Sequence, residues 1–198
     1  MSMKPYSQSC DDNKAPILAV LCEVFADTDT VLEIGSGTGQ HAVYFAKHLP
    51  HLVWQASDVV ENLAGIRMWL DEAALPNVLS PMMLDAADER WPIAKADAVF
   101  SANTAHIMAW SQVEQMFAGI GDVLRVNGVL ALYGPFNYGG AYTSESNARF
   151  DAWLKARDPL SGVRDFEALN ALALAQGMSL LKDYAMPANN RTLVWRKV

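Results

Sequence analysis

Three glycines at alternate positions follow directly on a short apolar run, Val31-Leu32-Glu33-Ile34-Gly35-Ser36-Gly37-Thr38-Gly39, with His41 close behind. Glycine lets a backbone turn tightly and approach a ligand with no side chain between. The first N–H groups of a helix starting there lack intrahelical partners and can bond a polar or anionic group. The chemistry served is the holding of a nucleotide-like ligand. In such sites a carboxylate about 20 residues further on accepts hydrogen bonds from both ribose hydroxyls. Asp58, followed by Val59, stands there, and a further acid, Asp85, precedes Ala86 and Ala87 after the next apolar run. The plainer alternatives are a tight strand-to-helix turn for the glycines and helix caps for Asp58 and Asp85.

These residues need a scaffold, and the patterning supplies one. β-Branched runs near 30–34, 52–56, 78–82, 97–102 and 128–133 alternate with helical patterns near 41–49, 60–74 and 113–125. Strands that alternate with helices imply a parallel sheet with helices on both faces. An opening helix is expected over 15–25, capped by Asp12 or Asn13, with Pro16 in its first turn and Ile17, Val20, Leu21 and Val24 facing inward. After a Gly- and Asn-rich excursion over 134–147, helices are expected near 148–156 and 166–176. Strands near 179–184 and 192–196 then flank Met186-Pro187-Ala188-Asn189-Asn190. So short a connection favours an antiparallel hairpin. The expectation is one α/β domain over 1–198, a doubly wound, mostly parallel seven-stranded sheet with an antiparallel last strand, and a flexible entrance segment over 1–12.

In such sheets ligands sit beyond the carboxyl ends of the parallel strands. That rim collects Asn103 and His106 after the fourth strand, Tyr133, Phe136, Asn137 and Tyr138 after the fifth, and Asn189 and Asn190 in the terminal turn. His48 and His51 have no Cys or third His nearby, so no metal is expected. The tryptophans are scattered as packing residues rather than as a stacking platform.

Composition excludes several partners. A net charge of −7 with no long basic run offers nothing to a phosphate backbone, so no nucleic acid is expected. The 198 residues, 52% of them hydrophobic, suffice for one core. With no signal-like start and no run of about 18 apolar residues, a soluble cytoplasmic protein without membrane contact is expected. Cys10 and Cys22 read as reduced thiols.

The dinucleotide fingerprint GxGxxG requires its third glycine at position 40, where the chain has Gln40. The GxGxG spacing, with Glu33 before it, instead resembles the first motif of the class I S-adenosylmethionine-dependent methyltransferases. Further segments carry a narrower resemblance: Asn13-Lys14-Ala15-Pro16-Ile17-Leu18, Ala96-Asp97-Ala98-Val99-Phe100-Ser101-Ala102-Asn103-Thr104-Ala105-His106-Ile107, Gly134-Pro135-Phe136, Thr143-Ser144-Glu145-Ser146-Asn147, Arg157-Asp158-Pro159 and Met186-Pro187-Ala188-Asn189-Asn190. Together they resemble the methyltransferase-like protein 26 family, the domain-of-unknown-function family 938. Asp12 departs from that pattern, since relatives typically carry a basic residue before the Asn-Lys pair.

The resemblance implies a class I methyltransferase fold with S-adenosylmethionine as cofactor and S-adenosylhomocysteine as product. It implies a cofactor site made of Asn13, Lys14, Glu33, Gly35, Ser36, Gly37, Thr38, Gly39, His41, Asp58, Val59, Asp85, Ala86 and Asn103, with Asp85 beside the adenine amino group. Methyl transfer needs geometry first, and a base only for a protonated acceptor. His106 is the candidate base and Asn190 the candidate orienting amide, against a structural histidine and an ordinary turn residue. The acceptor, a small molecule or a protein side chain, stays open. So does a non-catalytic, cofactor-binding sensor; a nicotinamide-dependent oxidoreductase is the weaker third reading.

Overall fold

A computed structural model describes residues 3–198. The elements follow in the order α1 (Gln8–Val24), β1 (Thr30–Ile34), α2 (Gln40–His48), β2 (Val53–Asp58), α3 (Val60–Ala73), β3 (Val78–Met83), β4 (Ala96–Ala102), α4 (Trp110–Val123), β5 (Leu124–Gly134), β6 (Phe136–Asn137), α5 (Glu145–Arg157), β7 (Arg164–Asp165), α6 (Phe166–Ala175), β8 (Met178–Ala185) and β9 (Arg191–Lys197). Seven strands form one sheet in the order β3-β2-β1-β4-β5-β9-β8, while β6 and β7 make a small separate ladder. All pairings in the large sheet are parallel except those of β9 to β5 and to β8, so the last strand alone runs against the rest. The expected doubly wound sheet is the one observed.

Alternation along the strands divides the core in two. Leu32, Ile34, Val99, Leu130 and Leu132 face α4 and α6, while Val31, Phe100, Ala131 and Tyr133 face α1 and α2. Such two-sided burial requires the near-continuous apolar runs seen in β1, β4 and β5. From β1 the chain steps outward through β2 and β3, then returns to place β4 on the other side of β1. This reversal opens a crevice at the carboxyl ends of β1 and β4.

Two boundaries differ from expectation. α1 starts at Gln8, not at Ala15, so Pro16 lies inside the helix, and Ser7 rather than Asp12 or Asn13 is the cap. The polar first turns are held by their own side chains: Gln8 Nε2 donates to Asp12 Oδ1 at 2.8 Å, and Lys14 pairs with Asp11. Residues 8–12, expected as part of a flexible entrance segment, are therefore helical. β5 begins earlier than predicted because Leu124 already pairs with Ala96. The register then shifts, with Asn127 at φ 67°, before Val129 resumes the ladder opposite Ala98.

Candidate functional site

A cavity of about 780 Å³ occupies that crevice. Its floor is the glycine loop. Ser36 N–H donates to the Ser57 carbonyl at 3.0 Å, and Ser57 N–H donates back to Ser36 Oγ at 3.1 Å, which fixes the loop to β2. Gly35 adopts φ +70°, and a Cβ there would lie 2.6 Å from Thr104 Oγ1, so the missing side chain lets the turn after β4 close against the loop. Gly37 adopts φ +57° with nothing within 4 Å of its would-be Cβ, leaving the loop tip open toward the cavity.

Asp58 also lines the cavity and is more heavily engaged than the sequence suggested. Oδ1 accepts Val59 N–H at 2.8 Å and Asn62 Nδ2 at 2.9 Å, while Oδ2 accepts Gly37 N–H at 2.7 Å. A carboxylate offers about four acceptor sites, so about one remains for a ligand hydroxyl, where two ribose contacts were expected. Asp85 and Ala86 form the wall beyond β3, with Asp85 Oδ1 accepting Ala87 N–H at 2.9 Å. Ser36, Thr38, His41, Val59 and Asn103 complete the predicted residues that the structure brings to the cavity.

Four predicted cofactor residues do not reach it. Glu33 faces the opposite side of β1 from Leu32 and Ile34, is 2% exposed, and accepts Trp54 Nε1 at 2.9 Å; burial pushes its carboxyl up to about 7. Asn13 sits behind His41, its Oδ1 accepting His41 Nε2 at 2.7 Å. Lys14 turns to Asp11 and the Tyr44 ring. Gly39 caps α2 against the backbone of Ile66. Asn13 and Gly39 act on the site through the residues they position.

On the predicted acceptor side the two candidates separate. Asn190 lies outside the cavity, and its Nδ2 donates to the Pro187 carbonyl at 3.2 Å, closing its own turn. The structure thus places Asn190 in its own turn, away from the cavity lining. His106 is buried just behind the rim, its ring edge-on to Phe150 at 5.2 Å between centroids. Its Nδ1 and Asn103 Oδ1 lie 3.7 and 3.9 Å from the Cβ position that Gly134 leaves empty. Among the described residues neither ring nitrogen has a hydrogen-bond partner, while burial, aided by the Arg164 charge, lowers its pKa to about 4.

Residues the sequence reading did not single out include Asn62, one helical turn beyond Asp58, Thr104 against the glycine loop, and a wall from the N-terminal segment, Pro5, Ser7 and Cys10 among it. Asp58, Glu61 and Asp85 give the lining negative charge, with no Lys or Arg among the described residues there. Burial lowers His41 to about 4 and keeps it neutral. The electrostatics suit a ligand of positive or no net charge and oppose a pyrophosphate. No cluster of three metal-ligating side chains occurs among the described residues. None of their helices is long and apolar enough to cross a membrane.

The family of proteins of unknown function DUF938 matches residues 4–197. The chain belongs to the DUF938 family. This DUF938 chain is also similar in structure to an O-methyltransferase family protein from Burkholderia thailandensis, with a TM-score of 0.82 at 16% identity over 93% of this chain and 56% of that one. PigF with SAH gives 0.78 at 16%, over 92% and 55%. An O-methyltransferase family 2 protein from Planctomyces limnophilus DSM 3776, in complex with apigenin, gives 0.76 at 12%, over 94% and 62%. The DUF938 chain thus has the fold of these methyltransferases and spans less than two thirds of the length of each.

Proposed function

We propose that this chain is an S-adenosylmethionine-dependent methyltransferase, of the group that includes methyltransferase-like protein 26, acting on a small molecule or protein side chain. The observation that carries the reading is the acid-lined cavity over the GxGxG loop, with no Lys or Arg among the described residues there, at the topological reversal of a sheet shared with methyltransferases. Asp58 keeps about one acceptor position for a ribose hydroxyl, and Ala86 beside Asp85 leaves room for a flat ring. When bound, S-adenosylmethionine supplies a methyl group on a cationic sulfur, and it would leave as S-adenosylhomocysteine.

Asn103 lines the cavity with His106 buried next to it beside Gly134, and in this reading the acceptor enters on that side. An unpartnered, neutral imidazole accepts the hydrogen bond of an acceptor O–H or N–H and takes its proton as the new bond to carbon forms. The low basicity of His106 makes it an aligning acceptor first; it does not ionise the acceptor before transfer. The position of His106 behind the cavity wall favours one second reading, a protein that binds the cofactor without turnover.

Thermal melting and calorimetry test the proposal. S-Adenosylmethionine and S-adenosylhomocysteine should both raise the melting temperature, as ligands bound only by the folded state do, while a nicotinamide dinucleotide should not. Absence of any shift at saturating S-adenosylhomocysteine would sink the methyltransferase reading. Binding without turnover across a broad acceptor panel would leave the sensor.

A further inference from the structure

The glycine loop and the acids leave part of the cavity unaccounted for. Met3, Pro5, Ser7, Ser9 and Cys10 form one wall of it, and this segment is fastened to α2 and α3. Ser7 N–H donates to Gln40 Oε1 at 2.6 Å, and Gln40 Nε2 donates back to the Ser7 carbonyl at 3.2 Å, a two-way clasp on the first residue of α2. On α3, Trp69 Nε1 donates to the Pro5 carbonyl at 2.7 Å. Lys4 Nζ lies 3.7 Å from the centre of the Trp69 ring and 2.7 Å from Glu72 Oε2.

The seat for Pro5 is Gly65. Glycine is the poorest ordinary residue for a helix interior, yet Gly65 lies well inside α3. A Cβ there would lie 2.6 Å from Pro5 Cγ, and its three nearest atoms all belong to Pro5. No other part of the protein crowds that position. The helix gives up local propensity at one residue, and the protein neighbour seated there is Pro5, although Gly65 also lines the cavity itself.

We propose that Met3–Cys10 is a strap over the ligand site, closed by docking Pro5 on Gly65, and that its undocking governs entry and release of the nucleoside cofactor. The proposal rests on the reading of the cavity as an S-adenosyl site. The fastenings suit such a device: a few hydrogen bonds, one ion pair and one proline, with no large apolar side chain committed to the core. Contacts of this kind belong to the low-stability end of a structure, which can open without global unfolding. Retention of a ligand is then expressed mainly in its dissociation rate.

Surface plasmon resonance with immobilised protein and S-adenosylhomocysteine as analyte tests the strap. Gly65→Ala fills the seat and should raise the dissociation rate about tenfold, since differences among variants of one site fall mostly on dissociation. Its ligand-free melting temperature should stay level or rise, because alanine is the better helix former. Trp69→Phe, outside the cavity lining, keeps the ring under Lys4 but loses the indole N–H and should shift the rate the same way by a smaller factor. A rate raised in Gly65→Ala alone would be a methyl group meeting the ligand and overturns the strap. A Gly65→Ala dissociation rate within about twofold of the parent overturns the strap while leaving the cofactor reading intact. Failure of the parent to bind S-adenosylhomocysteine overturns both. Should Gly65→Ala not fold, an unchanged rate in Trp69→Phe overturns the strap and a raised one supports it.

Discussion

Gly37 N–H donates to Asp58 Oδ2 at 2.7 Å, so the tip of the glycine loop hangs from the carboxylate at the end of the neighbouring strand. Asp58→Ala removes the acceptor for three donors at once, and S-adenosylhomocysteine affinity should fall by about 1–3 kcal/mol, with a lower melting temperature. Asp58→Asn should be nearly as damaging, because its amide would set donor against donor at either Gly37 or Asn62. Calorimetry and thermal melting check both; an Asn variant that binds like the parent would detach the loop from this acid.

Gly37 can be tested by separating backbone strain from occupied space. Valine at φ +57° costs about 1–2 kcal/mol of backbone energy before any contact with ligand. Asparagine tolerates that conformation, so Gly37→Asn should melt close to the parent and still bind S-adenosylhomocysteine more weakly, since its side chain projects into the cavity. Undiminished affinity in Gly37→Asn would mean that no ligand approaches the loop tip.

Glu33 predicts a loss of stability as pH rises from about 4.5 to about 7. Its folded carboxyl is raised from 4.5 to about 7 by burial, so the native state keeps a proton that the unfolded chain has released. The contribution is full below about pH 4.5 and is lost as pH rises through about 7. Glu33→Gln keeps an oxygen for Trp54 without the charge and should exceed the parent by about 1–3 kcal/mol at pH 8, with little difference near pH 4.5. Denaturant melts at the two pH values decide it; equal stability at pH 8 would refute the buried-acid account.

His106 and His41 act in the opposite direction. Burial holds each imidazole near 4 against an ordinary 6.5, so their contribution is present above about pH 6.5 and is lost as pH falls toward 4. His106→Phe should flatten that acid limb by about 1–3 kcal/mol while S-adenosylhomocysteine affinity stays unchanged. Weakened binding in His106→Phe would place the ring on the cofactor side of the wall.

The parallel sheet with its reversed last strand and the positions of the acids were legible because each rests on local pattern. The apolar run at Thr30–Ile34, the alternate glycines after it and the carboxylate closing β2 fix the crevice between β1 and β4. Alternation along β1 also carried the signal that Glu33 faces away from the cavity, since its neighbours Leu32 and Ile34 share the other face. The motif obscured it. The early start of α1 was not legible: Tyr6 to Cys10 has no apolar period, and Ser7 is held by Gln40 from a distant helix. For Asn190 the sequence could not separate turn chemistry from acceptor chemistry, because both use the same amide, and the structure shows the turn contact. His106 was found by its place after β4, but the empty Cβ position at Gly134 that aligns it with Asn103 exists only in three dimensions.

The reversed strand β9 lies between β5 and β8, and β8 joins the large sheet through β9 alone. During synthesis β5 therefore waits with an open edge through some fifty residues of later chain. That edge carries Val129, Leu130, Ala131 and Leu132, all buried once β9 has paired. An unpaired, apolar central edge is a template for a foreign strand, so a nascent or clipped chain lacking residues 191–197 is an aggregation hazard even with its cofactor crevice already assembled.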